Sequence, residues 1–130
     1  FDRSLLIDPK SALVWMLKGV ALRSLKRFEE MIEANDRALA IDQNFTASWY
    51  YKGGALCNLK RYEEGIQSYD RALAIDPNKA AAWAEKGHAL AKLSRYREAI
   101  QAFDQALEID ANGSAYMGLV AAEAALKAAS

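Results

Sequence analysis

The chain has 130 residues, 52% of them hydrophobic, and its 17 Lys and Arg against 17 Asp and Glu leave no net charge. That balance argues against a nucleic-acid partner, whose phosphates require a basic surface. No apolar run approaches the ~18 residues of a membrane span, and no signal-peptide pattern opens the chain, so it reads as soluble, with no membrane partner. The single cysteine, Cys57, cannot form an internal disulfide, and a free thiol leans toward a reducing, cytoplasmic compartment.

At an offset of 34 residues the sequence matches itself. Trp15, Trp49 and Trp83 fall in register, as do Gly19, Gly53 and Gly87, and Asp36, Asp70 and Asp104. Self-similarity at one fixed period marks stacked modules, which present an extended surface and no enclosed chemical pocket. Taken in chain order, residues 1–10 are the end of a module. Phe1 to Pro9 align with Tyr69 to Pro77, so the chain opens inside a second helix and further units are expected before it. Three whole units follow, 11–44, 45–78 and 79–112. In the middle one Trp49, Gly53, Leu56 and Leu59 recur every three or four residues. So do Tyr62, Ile66, Tyr69 and Leu73, with Asn58-Leu59-Lys60-Arg61 between the two runs. This spacing predicts two amphipathic helices joined by a tight turn. At about 14 residues each, neither is stable alone in water, and each depends on its partner's apolar face.

The unit closes at Ile75-Asp76-Pro77-Asn78, where proline ends the helix. Asn44, Asn78 and Asn112 stand just before the next helix, as N-caps, as turn residues or simply solvated. Residues 113–130 form a last helix with no Trp or Gly in register. It is either a modest cap or a helix whose outer face meets another surface.

Glycine inside a helix costs about 1 kcal/mol relative to alanine, so three glycines in register imply a steric reason. The expected one is a close second helix, with Phe28, Tyr62 or Tyr96 over the missing side chain and the tryptophans in the core. In the first unit Met31 and Asn35 replace the small-then-aromatic pair seen as Gly65 and Tyr69, or Ala99 and Phe103, which suggests compensating volumes. For chemistry the chain offers little. His88 and Cys57 are the only histidine and thiol, a pairing of them lacks an orienting third group and oxyanion donors, and no glycine-rich phosphate loop or ligand cluster is present. No catalytic role, metal or cofactor is expected. Rows of Lys18, Lys52, Lys86 and Arg27, Arg61, Arg95 alternate with acidic rows, a pattern that favours solubility.

Trp49, Gly53, Gly65-x-x-x-Tyr69 and Pro77, with Trp83, Gly87 and Ala99-x-x-x-Phe103, resemble the tetratricopeptide repeat signature over nearly the whole chain. The resemblance implies an all-α right-handed superhelix (solenoid) of stacked helix-turn-helix repeats. It also implies a non-catalytic protein–protein interaction scaffold whose first helices line a concave, peptide-binding groove. Mapped by register, the groove residues are Leu13, Met16, Val20 and Arg23 in the first unit, Tyr50, Gly54, Cys57 and Asn58 in the second, and His88 and Lys92 in the third, with Ala47, Ala81, Ala84 and Ala91 between them. These positions vary while the packing positions repeat, as expected of a surface that reads a partner or of one that drifts. Met16 and Val20 stand where some family members carry a lysine and an asparagine that grip a C-terminal carboxylate. The expected partner is therefore a protein or peptide with apolar anchors and not an acidic chaperone tail. Gly54, beside Gly53, either opens a notch walled by Met16, Val20, Tyr50 and His88 or admits a neighbouring helix closely. The alternative function is structural self-assembly, through the ends as a homo-oligomer or through the convex face.

Overall fold

A computed structural model describes residues 9–24, 26–113 and 115–129, and every regular element among them is a helix. Three hairpins follow one another: α1 (Pro9–Ser24) with α2 (Phe28–Ile41), α3 (Thr46–Asn58) with α4 (Tyr62–Ile75), and α5 (Ala80–Lys92) with α6 (Tyr96–Ile109). The final helix, α7 (Ala115–Ala129), stands where a fourth hairpin would begin. Of the leading segment 1–10 only Pro9 and Lys10 are described, and they open α1. Proline suits a first helical turn because the N–H it lacks has no partner there. The rest of that segment lies outside the described residues.

Each second helix packs both on its own first helix and on the next one, and consecutive first helices also touch, α1 on α3, α3 on α5 and α5 on α7. The first helices thus line one side of an all-α solenoid. None of the described helices is long and apolar enough to cross a membrane.

The glycines in register are required by close approach, but not under the residues expected from sequence. A Cβ at Gly53 would lie 2.8 Å from the Tyr69 ring, one at Gly87 2.8 Å from the Phe103 ring, and one at Gly19 2.6 Å from Asn35 Nδ2. The covering side chain is therefore the one midway along the second helix. Phe28, Tyr62 and Tyr96 open their helices beside the turn and are half-buried. Met31 and Asn35 are both buried, and Asn35 Nδ2 donates to Met31 O at 3.0 Å. Met31's counterpart Gly65 is small because Cys57 Sγ would stand 2.5 Å from a Cβ there, whereas Cys57's own counterpart in the first hairpin is the exposed Arg23.

The tryptophans sit at the edge of the core, half-buried, and not within it. Their indoles tie down the loops between hairpins: Trp49 Nε1 donates to Gln43 O and Trp83 Nε1 to Pro77 O, both at 2.9 Å. Their outer rims carry cations, Lys18 and Arg37 over Trp15 and Lys52 and Arg71 over Trp49. The recurring asparagines shape turns and are not N-caps. Asp42, Asp76 and Asp110 accept the backbone N–H of Asn44, Asn78 and Asn112 at 3.0, 3.2 and 3.1 Å, while Phe45 and Lys79 hold the N-cap positions of α3 and α5 without a side-chain bond.

The charged rows interlock. Lys52 pairs with Asp36 at 2.7 Å and Lys86 with Asp70 at 2.6 Å. Arg61 reaches both Glu64 and Glu29, and Arg95 both Glu98 and Glu63. Each set joins one hairpin to the next. Exposed pairs of this kind contribute about 0–1 kcal/mol each, so they add little to the apolar contacts that join one hairpin to the next.

Candidate functional site

Between α3 and α5 the inner side opens into a hollow of about 340 Å³. Gly54, Cys57 and Asn58 line it from α3, Glu85, His88, Ala89 and Lys92 from α5, Lys60 and Tyr62 from the turn, and Tyr69 from α4. Gly54 makes the opening. A Cβ there would meet only the Tyr69 hydroxyl, at 3.7 Å, an ordinary contact, so no neighbouring helix demands a glycine at this position. Close approach therefore explains Gly53 and leaves Gly54 unexplained, although a helical glycine costs about 1 kcal/mol. Asn58 Nδ2 donates to Gly54 O at 2.8 Å and fixes the amide at the mouth.

The floor is aromatic and sulfur-bearing, with Cys57 packed against the buried Tyr69. Burial first, then the nearby Glu85 carboxylate, pushes the Cys57 thiol up to about 11, so it is neutral at physiological pH. Burial likewise raises the phenols of Tyr69 and Tyr50. A neutral thiol is a poor nucleophile. His88 sets its ring edge-on to Phe103, with centroids 4.9 Å apart. Among the described residues no three His, Cys, Asp or Glu side chains converge on a point that could hold a metal.

Beside the hollow runs an aromatic strip. Tyr50 lies 5.4 Å from Tyr51 and 5.8 Å from Tyr69, with Lys79 over the Tyr50 ring and Arg23 over Tyr51. Of the residues mapped by register, the structure gathers Gly54, Cys57, Asn58, His88 and Lys92 in the hollow, and Tyr50 and Arg23 on the strip. Met16 is buried against Ala12 and Ala38, with Val20 half-buried beside it, and Leu13 lies exposed on α1. Met16, Val20, Tyr50, Gly54 and His88 therefore do not wall one notch. Glu85, Lys60, Tyr51 and Lys79 escaped the sequence reading. A signal existed for two of them, because Leu17, Tyr51 and Glu85 share a register position and differ as a reading surface should.

A larger hollow of about 550 Å³ lies between α3 and α4, lined by residues that include Trp49, Lys52, Glu64, Asp70 and Arg71. Its charges are already engaged: Lys52 with Asp36, Asp70 with Lys86, Glu64 with Arg61, and Arg71 on Trp49. A ligand there would have to break those pairs. The hollow between α3 and α5 asks no such exchange.

Fold and hollow together define an α-solenoid of helical hairpins with an open inner face. Models of the tetratricopeptide repeat match residues 12–45 and 80–112, and a model described as TPR repeat matches residues 53–94. The chain belongs to the tetratricopeptide repeat family. No curated protein matches it in sequence. Among solved structures it is similar to the first TPR of Spaghetti (RPAP3) bound to the HSP90 peptide SRMEEVD. That likeness has a TM-score of 0.90 and 22% identity over 93% of this chain and 97% of that one. The second TPR domain of human RPAP3, in complex with the HSP70 peptide SGPTIEEVD, gives 0.84 and 22% over 88% and 98%. The Sgt2 TPR domain from Aspergillus fumigatus gives 0.87 and 20% over 92% and 81%. At these identities the likeness is one of fold.

Proposed function

We propose that this chain is a non-catalytic protein–protein interaction scaffold that holds a peptide segment along its first helices. One apolar anchor side chain enters the hollow between α3 and α5. The observation that carries this reading is Gly54, a helical glycine with no steric need, whose absent side chain opens the way to Tyr69 and Cys57. Solved relatives of the same fold hold peptides, which supports the class. The chemistry around this hollow supports a different ligand from theirs. Cys57 and the Tyr69 ring form the floor, Lys60, Lys92 and Glu85 of opposite signs stand around it, and Met16 and Val20 replace cation and amide on α1. Buried anchors supply most of the energy in such grooves, and rim charges set orientation. The neutral thiol of Cys57 serves as wall, in keeping with a reducing compartment.

Two variants at one position test this. Gly54→Ala removes a helical glycine into ordinary space and raises stability by about 0.5–1 kcal/mol. Gly54→Leu fills the hollow. Against short fluorescent peptides that each carry a single Leu, Phe or Trp anchor, wild type binds one anchor class, and Gly54→Leu loses that binding with unchanged helicity by circular dichroism. Binding unaffected by Gly54→Leu, or no anchor bound by wild type, removes the hollow from the mechanism.

A further inference from the structure

In register with Gly54 and Tyr69 stand Val20 and Asn35 in the first hairpin and His88 and Phe103 in the third. The third hairpin shows this pair closed, because the His88 ring lies edge-on against Phe103, with centroids 4.9 Å apart. In the second hairpin both positions change together. Gly54 removes the cover, and Tyr69 adds a hydroxyl to a ring that, as Phe103 shows, the core holds without one. Tyr69 is only 1% exposed, yet its hydroxyl lies 3.7 Å from where a Gly54 Cβ would stand and so meets the hollow. Within the protein that hydroxyl bonds to the Cys57 thiol, a weak acceptor, and the lone pairs of Tyr69 Oη are left for a ligand. Beside it, Asn58 Nδ2 is already engaged by Gly54 O. Glu85, which also lines the hollow, pairs with no cation among the described residues.

Resting on the reading of this hollow as an anchor site, we propose that the anchor is a tryptophan whose indole N–H donates to Tyr69 Oη. The hollow offers acceptors, the Tyr69 hydroxyl oxygen and the Glu85 carboxylate, and a ligand that covers such a group without bonding it loses more than the bond itself would give. An indole is a donor with no lone pair to set beside Glu85, carried on a large apolar body. Leucine and phenylalanine would cover the hydroxyl and leave it unbonded. A phenol brings lone pairs of its own, and a lysine or arginine would meet Lys60 and Lys92 around the same hollow. Gly54 thus admits the anchor, and Tyr69 selects it.

Peptides of one sequence that differ only at the anchor test it: tryptophan, phenylalanine, or benzothienylalanine, which keeps the bicyclic shape and puts sulfur in place of the N–H. By fluorescence anisotropy wild type binds the tryptophan peptide most tightly and the benzothienyl peptide about three- to tenfold more weakly, the worth of one hydrogen bond. Tyr69→Phe copies Phe103 and keeps the fold, as circular dichroism checks. It loses that same factor for tryptophan and nothing for benzothienylalanine, so the two peptides then bind alike. Equal affinity of wild type for the two bicyclic anchors overturns the proposal. So does a Tyr69→Phe variant that keeps the preference, or a phenylalanine peptide that binds as tightly as the tryptophan one. In each of those cases loss of binding in Gly54→Leu still marks the hollow as an anchor site, whereas wild type that binds none of the peptides overturns both readings together.

Discussion

Cys57 lies half-buried over Gly65 and against Tyr69, and that position governs how the thiol titrates. Its folded value is raised to about 11, whereas in the unfolded chain it returns to the ordinary thiol range near ~8.5. The fold binds the proton more tightly, so this contribution to stability is complete below the ordinary range and is lost as pH rises through about 11. Tyr69, raised by burial as well, adds a loss in the same direction at higher pH. Thermal melts should fall between pH 8 and pH 11, and Cys57→Ala should flatten the decline without abolishing it. At neutral pH iodoacetamide should label the folded protein on the order of a hundredfold more slowly than a free thiol. Rapid labelling would show that the thiol is neither buried nor neutral. At this scale the sequence announced that the glycines were sterically required but not what covers them. In an antiparallel hairpin, side chains at similar distances from the turn meet. Tyr69 is nine positions past Lys60 and Gly53 seven before it, while Tyr62 sits beside the turn. Counting from the turn would have paired them correctly, and counting by aromatic character alone did not.

Each hairpin turns without a glycine. Lys26, Lys60 and Ser94 take left-handed backbone at φ 58°, 64° and 61°. In the second hairpin Lys60 N donates to Cys57 O and Arg61 N to Leu56 O, both at 2.9 Å, and Ser94 with Arg95 repeats the pattern in the third. This paired closure is the Schellman arrangement, which glycine serves best because a Cβ in that region clashes with the backbone. Periodicity located the turn at Asn58-Leu59-Lys60-Arg61 but could not reveal its handedness, since neither lysine nor serine marks the left-handed region. Ser94 is exposed, and its hydroxyl takes only a long 3.4 Å bond from Tyr96. Ser94→Gly should therefore raise stability by about 1 kcal/mol, read as a higher urea midpoint with unchanged slope. A lower midpoint would mean that the turn relies on the serine side chain.

Across the whole molecule the 34-residue register made the helices and their order legible, because every hairpin buries the same positions. The site was less legible: which groove positions stay open depends on how far one hairpin rotates on the next, and no single side chain encodes that rotation. The same register exposes an unevenness in the array. Where α4 meets α5, Tyr69, Leu73 and Ala82 form an apolar cluster. Their counterparts where α2 meets α3 are Asn35, Leu39 and Ser48, and among the described residues no protein group bonds Asn35 Oδ1 or Ser48 Oγ, although both are buried. A buried polar atom without a partner costs about 1–3 kcal/mol. In an array held by nearest-neighbour contacts such a cost stays at its own junction. The first hairpin should therefore open more readily than the second and third, so that amides of α1 and α2 exchange with deuterium faster than those of α4 and α6. Ser48→Ala, which copies Ala82, should slow exchange in α1 and α2 and raise stability by about 1 kcal/mol, while leaving α6 unchanged. Uniform exchange across all three hairpins, or a destabilised Ser48→Ala, would show that this polar junction is as firmly closed as the apolar one.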